Sequence, residues 1–339
     1  MSANQLSINF SIKSNMTQRM NEYETFTKDT TFKVGGLFGG IGGIELGFKK
    51  AGFEISWANE IDKNASITYR MNHEHKLFER DLKLLSTQEV EKIDILTAGF
   101  PCQAFSVAGY RKGFDDDRGN MFFEILRFID DLSPKIIFLE NVKNLQTHDN
   151  GNTFKVIISQ LEGKGYKLKY KVLNSAEYGN TPQNRERIYI VGFLDKKYYE
   201  KFEFPKPKKL IKTVTDLIEQ ETEEKFYYTN SKYYEQLKRE MINKDSVYQW
   251  RRVYVRENKS KLCPTLTANM GTGGHNVPLV MDKKDIRKLT PRECARFQGY
   301  EDSFILPNIA LSHLYKQIGN SVTVSVIESI AKNIYKALK

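Results

Sequence analysis

Residues 32–43 read Phe-Lys-Val-Gly-Gly-Leu-Phe-Gly-Gly-Ile-Gly-Gly, a short apolar run that passes directly into a glycine loop. The run has the length of a buried strand. The glycines let the backbone turn sharply and approach a ligand, and the helix expected next offers unpaired N–H groups. Downstream, FEISWAN (53–59), KIDILTAG (92–99), KIIFLE (135–140), YKLKYKVL (166–173) and RIYIVGF (187–193) are further strand candidates. They are separated by windows with apolar residues three or four apart, such as Met121, Phe122, Ile125, Leu126 and Ile129. Strands spaced by helices of this length imply βαβ units and a mostly parallel sheet with helices on both faces.

Chemistry-bearing residues fall at the ends of these strands. Glu60 follows the second strand, 22 residues after Phe38, where an acid would hold an adenosine ribose. Asp81 follows KLFER (76–80) and would sit on the same rim, as a helix cap or as an acceptor for an adenine amino group. No GxxxxGK[ST] occurs, so ATP-phosphate chemistry is not indicated. Gly99-Phe100-Pro101-Cys102-Gln103 places a cysteine at the carboxyl end of a central strand, ahead of a glycine- and charge-rich segment suited to a lid. Glu140 ends KIIFLE, where burial would raise its pKa toward the range of a proton donor. Arg185 and Arg187, two apart on an extended segment, point the same way and could both face the crevice.

The chain has 339 residues, enough for two domains at ~150 residues each. Its 52 basic and 42 acidic residues leave a net charge of +10, a hint of a polyanionic partner. With 40% hydrophobic and 28% charged residues, it reads as a globular chain rather than a disordered one. No apolar stretch nears the ~20 residues that cross a bilayer, and no secretory leader is evident, so a cytoplasmic or nucleoid location is expected. Three scattered cysteines fit a reducing compartment. His73 and His75 read as a surface helix end, and no metal site is expected. Residues 1–30 read as a flexible arm and FEFPKPKKLIK (202–212) as a linker. Tyr248, Trp250 and Tyr254, interleaved with Arg251, Arg252, Arg256, Lys259 and Lys261, suit a surface that contacts phosphates and a DNA groove.

Together these residues resemble the DNA (cytosine-5)-methyltransferases. FGGIGG, GFPCQAFSVAG, FLENVKNL, QNRERIYIVGF, RKLTPRECARFQGY and YKQIGNSV are similar to that family's motifs, in its order. Gly39 departs from the alanine or serine of many relatives, a change expected to be harmless. The resemblance implies an α/β, Rossmann-like S-adenosylmethionine-dependent sheet with a smaller, irregular target recognition domain. It also implies boundaries: a catalytic and cofactor domain at 31–195, recognition at 196–285, a hinge region at 286–315, and a C-terminal segment, 316–339, returning to the first domain.

By the same resemblance, Cys102 is the nucleophile, Glu140 the acid at the base, and Arg187, with Arg185 and Gln103, completes the catalytic set. Phe38, Gly40, Ile41, Gly42, Gly43, Glu60, Ile61, Asp81, Pro101, Asn320 and Val322 would hold S-adenosylmethionine. Ser106, Arg118, Arg251, Arg252, Arg256, Thr265, Leu266 and Thr267 would contact double-stranded DNA. The implied protein is a monomeric restriction–modification enzyme, with a cognate endonuclease as a candidate partner. Two other readings are a tRNA methyltransferase, whose Cys-Phe-Thr hallmark is absent, and an inactive DNA-binding regulator. Cys102→Ser is expected to abolish methylation while leaving specific DNA binding largely intact. A methylation assay beside a gel-shift titration checks this, and activity above a few per cent of wild type contradicts it.

Overall fold

β1 (Lys33–Leu37), β2 (Glu54–Asn59), β3 (Lys76–Phe78), β4 (Ile95–Gly99), β5 (Ile136–Val142), β6 (Lys167–Asn174) and β8 (Glu186–Phe193) form a seven-stranded sheet, ordered β3-β2-β1-β4-β5-β8-β6. The two-residue β7 (Gln183–Asn184) lies outside it. These elements come from a computed structural model, which describes residues 31–101, 120–251, 253–271 and 276–339. The chain adds strands to one side of β1 as far as β3, then crosses to β4 and grows the other way. That reversal is the switch point at which open α/β sheets leave a crevice beyond the strands' carboxyl ends.

β1 and β4 are buried almost throughout, as strands covered on both faces must be. β5 shows both faces directly. Ile137 and Leu139 join a core with α3 (Asn120–Leu132) and α4 (Asn152–Gly163), which supply Phe122, Ile125, Ile157 and Leu161. Phe138, between them, points the other way and meets Phe48 of α1 (Gly43–Lys50) edge-on, with ring centroids 5.2 Å apart. α1 in turn packs on α7 (Val324–Leu338), an amphipathic helix within the 316–339 segment. α2 (Lys63–Arg70) follows β2 and is capped by Asp62. Ser86 and Glu89 do form a capping box, although on a single 3₁₀ turn.

The sheet is mostly parallel, as expected, with one exception. β8 runs antiparallel to both β5 and β6. Only a short connection, containing a one-turn helix at Ser175–Tyr178, separates β6 from β8, and a parallel return needs a crossover of about a dozen residues or more.

Beyond 195 the expected linker is docked rather than free. Phe202 is buried, Lys208 N donates to Glu177 O (2.7 Å), and Ile211 N donates to Asn180 Oδ1 (2.8 Å). A four-stranded antiparallel sheet follows, ordered β10-β9-β12-β13: β9 (Tyr248–Trp250), β10 (Val255–Glu257), β12 (Val277–Met281) and β13 (Ile286–Lys288). Tyr248 and Trp250 lie in its core with Leu237, Val277 and Leu279, so two of the three aromatics expected at a DNA surface fill the interior. Tyr254 alone of them is exposed. Arg287, fully buried, joins this sheet to α5 (Pro291–Phe297) through ion pairs with Asp282 (2.5 Å) and Glu293 (2.7 Å). Glu293 also closes a capping box with Thr290.

Beneath the glycine loop, Glu45 of α1 is fully buried against β1, in space left by Gly36, whose added Cβ would overlap Glu45 Oε1. Among the described residues its Oε2 has no hydrogen-bond partner. Burial, with Glu60 nearby, pushes its carboxyl up to about 8. The folded protein therefore holds a proton that the unfolded chain releases above about 4.5. This contribution to stability is complete below about pH 4.5 and is lost as pH rises through 8. Glu45→Gln is expected to be more stable than wild type at pH 8, by on the order of 3–4 kcal/mol, and close to it at pH 5. Urea unfolding at both pH values measures the gap, and an equal gap at both would contradict the assignment.

Candidate active site

The crevice beyond β1 and β4 encloses about 500 Å³, within the ~300–1,000 Å³ usual for a bound small molecule. One wall is the glycine loop. Phe38 and Gly40 adopt positive φ (57° and 58°), as does Gly42 (85°), so the loop coils before α1 begins. Gly42 faces away from the crevice. A Cβ there would overlap the imidazole of His73, whose Nε2 lies 3.2 Å from Ile41 O. His73 is thus a buried wedge behind the loop, not a surface helix end, and burial pushes its pKa down to about 4. His75 is half-buried, with Nε2 2.6 Å from Tyr69 Oη.

Glu60 braces the same loop. Its Oε2 accepts from Gly40 N (2.7 Å), and its Oε1 accepts from Ile61 N (2.9 Å) and Asp62 N (2.7 Å). Three N–H groups occupy three of a carboxylate's roughly four acceptor positions, which leaves room for one hydroxyl. Ile61 beside it is 62% exposed at the rim, an apolar face suited to a heterocycle. Asn320 and Val322, at and just after the end of α6 (Leu311–Asn320), line the crevice together with Phe38, Gly40, Ile41, Gly43 and Pro101. A concave, largely apolar crevice with a glycine loop and a carboxylate that keeps one acceptor position open fits a nucleoside-containing cofactor. Asp81 does not line this crevice. It caps a 3₁₀ turn, its Oδ1 accepting from Lys83 N (3.0 Å).

At the far end, β5 delivers Glu140 beside the end of β4. Gly99 and Glu140 are register partners, and a Cβ on Gly99 would stand 3.6 Å from Glu140 Oε2. Burial raises the Glu140 pKa, opposed by Arg187 and then Arg185. Arg187 Nε lies 3.3 Å from Glu140 Oε1, an ion pair with both partners largely covered. The two arginines both line the crevice, but their donors go to different places. Arg185 is 2% exposed, and its terminal nitrogens donate to the carbonyls of Leu266, Gly319 and Ser321.

Cys102, Gln103, Ser106, Arg118 and Arg252 lie outside the described residues. Of the expected DNA contacts, Arg251 closes the β9–β10 hairpin, its N donating to Tyr254 O (3.0 Å), and Arg256 is exposed on β10. Thr265 Oγ1 donates to Asn184 O (2.7 Å), and Thr267 is half-buried. Leu266 is a correction: its side chain is packed inside with Phe297, Tyr315 and Ile318, away from any groove.

Sequence reasoning missed Asn141 and Gln183. Asn141 Nδ2 donates to Phe100 O (2.9 Å), tying the strand end two residues before Cys102 to β5. Gln183 Nε2 donates to Phe297 O (2.7 Å), while its Oε1 accepts from Leu266 N (3.2 Å). A polar residue directly after a buried acid was the only available hint for Asn141, and the fully buried Gln183 depends on partners more than 80 positions away.

Comparison with known proteins agrees with this geometry. The C-5 cytosine-specific DNA methylase family matches residues 32–336. The Type II methyltransferase M.Bsp6I of Bacillus sp. (strain RFL6) is 57% identical over 312 residues, covering 90% of this chain and 99% of that protein. The Type II methyltransferase M.HhaI of Haemophilus parahaemolyticus is 39% identical over 319 residues, covering 89% and 94%. A crystal structure of a Spodoptera frugiperda DNMT2 mutant superposes with a TM-score of 0.72 over 90% of this chain and 100% of that one. At 23% identity it speaks for the fold alone. Sequence motifs, crevice and relatives agree, and the chain belongs to the C-5 cytosine-specific DNA methylases.

Proposed function

We propose that the described crevice and the segment that follows β4 methylate carbon 5 of a cytosine swung out of a specific short duplex sequence. The observation that supports this most is the register pairing of Gly99 with Glu140, since it sets a buried acid beside the strand end that leads into Pro101-Cys102. Carbon 5 of cytosine is a poor nucleophile until something adds at carbon 6. The Cys102 thiolate adds there, and the electrons of the 5,6 double bond move into the ring. Glu140 donates a hydrogen bond or proton at ring nitrogen 3, so that the ring accepts this charge. Its raised pKa suits it to that role. Arg187 holds the Glu140 carboxyl through Nε and faces the exocyclic carbonyl.

S-adenosylmethionine, when bound, supplies an electrophilic methyl group that carbon 5 takes up. Glu60 and Ile61 hold its nucleoside part, and Asn320 with Val322 covers it. Loss of the proton at carbon 5 then expels the Cys102 thiolate and restores the aromatic ring. A base inside the helix hides both reacting carbons, so extrusion, at about a few kcal/mol, precedes the chemistry.

In this reading, 31–195 is the catalytic and cofactor domain, 196–285 recognises the target, 286–315 is the hinge region, and 316–339 returns to the first domain. Arg251 and Arg256 on the β9–β10 hairpin contact the duplex, and the Thr265–Thr267 segment presents Thr265 and Thr267 to it. The enzyme acts as a monomer in the cytoplasm or nucleoid, beside an endonuclease that reads the same site. No described helix is long and apolar enough to cross a membrane.

Incubation with methyl-tritiated S-adenosylmethionine is expected to label plasmid DNA as 5-methylcytosine and leave tRNA unlabelled. Glu140→Gln is expected to slow transfer by roughly 10²–10⁴-fold. Label confined to RNA would contradict the substrate assignment, and an unimpaired Glu140→Gln would contradict the role of the acid.

A further inference from the structure

Arg185 sits between β7 and β8, almost wholly buried on the crevice wall, and it joins two stretches of chain far apart in sequence. Nη1 donates to Leu266 O (2.9 Å), inside the Thr265–Thr267 segment. Nη2 donates to Gly319 O (3.2 Å) and to Ser321 O, the residues on either side of Asn320 in the crevice wall. The two backbones also touch where the guanidinium bridges them, since a Cβ on Gly319 would overlap the Thr267 carbonyl. Gln183 and Thr265 fasten the same junction from β7, through Leu266 N and Asn184 O.

A buried guanidinium is tolerated only while its hydrogen bonds are made, and its planar fork matches carbonyls only in a fixed arrangement. A shift of either segment alone would take an acceptor from a largely buried charged group whose Nε already has no partner among the described residues, which is costly. The two segments therefore move together or not at all. A ligand that orders one changes the free energy of ordering the other, and the effect is reciprocal.

We propose that Arg185 is a positioning residue that couples cofactor binding to DNA binding: ordering of Asn320 and Ser321 by the cofactor fixes the Leu266 carbonyl and so presets Thr265–Thr267 for the duplex. The inference rests on the reading above that puts cofactor at Asn320 and Val322 and DNA at Thr265–Thr267. It deepens that reading by naming the residue through which the two sites communicate.

The test is the affinity for a duplex carrying the modified site, measured without cofactor and with saturating S-adenosylhomocysteine, which permits no turnover. Wild type is expected to bind DNA about tenfold or more tightly with the cofactor product, within the usual range of coupling. In Arg185→Lys, which keeps the charge but not the fork, that ratio is expected to fall below about threefold. An unchanged ratio in Arg185→Lys overturns the proposal, as does a wild-type ratio of one. Failure of wild type to bind the duplex at all would instead overturn the functional reading beneath it. Amide exchange on wild type supplies a measurement independent of any variant's folding. S-adenosylhomocysteine without DNA is expected to slow exchange in a peptide spanning 263–271, and no change there also overturns the proposal.

Discussion

A carboxyl group taken out of water at the edge of a sheet must be neutralised or paired, and Glu140 is held between these two conditions. Burial favours its protonated form, while Arg187, 3.3 Å away, favours the ionised one. A group poised in this way can give a proton to a ring nitrogen without a large change in its surroundings. The arrangement depends on the sheet. β4 and β5 run parallel and in register, so their carboxyl ends emerge side by side, with Asn141 fastening the backbone of one to the other. The reversal of strand order at β1 and β4 then opens the nucleoside crevice against the same edge. Glu140, the Pro101 end of β4 and the glycine loop meet because neighbouring strands end together.

The rest of the molecule holds that edge in place. α7 returns the C-terminus to the back of α1, which brings the Gly319–Val322 turn to the cofactor wall. The small antiparallel sheet hangs on buried charge rather than on a broad apolar interface alone. Arg287 meets Asp282 and Glu293 there, while outside that sheet Arg185 joins Leu266 to the Gly319–Ser321 backbone through three carbonyls. Removing one partner of a buried pair is far more costly than never burying it, so such contacts specify one arrangement more than they add stability.

The catalytic half was legible because its signals are local. Apolar runs ending in glycine, cysteine or glutamate place chemistry at strand ends, and β1, β2, β4, β5, β6 and β8 lie where their patterns put them. Glu60 and Glu140 were found for the same reason. The errors fall where a local pattern has two physical readings. Basic residues alternating with aromatics look the same on an exposed strand and on one whose inner face fills a core, and Tyr248 and Trp250 took the second course. Proline and lysine in 202–212 suggested a free linker, yet backbone bonds to Glu177 and Asn180 pin it. His73 read as a surface residue because its burial comes from the loop at Ile41 and Gly42, 32 and 31 positions earlier. Arg185, Gln183 and Glu45 depend on distant partners or on space left by another residue's missing side chain, which no local window contains.

The claim on which the account rests is that this edge forms a covalent bond to a cytosine ring through one particular sulfur. Peptide mapping by mass spectrometry addresses it directly, with the protein incubated with S-adenosylmethionine and a duplex carrying 5-fluorocytosine at its target. The fluorine cannot leave as a proton does, so the enzyme–base bond persists. The account predicts a single stable adduct on the peptide containing Cys102. Absence of an adduct on a duplex the protein binds, or attachment at Cys263 or Cys294, would contradict it.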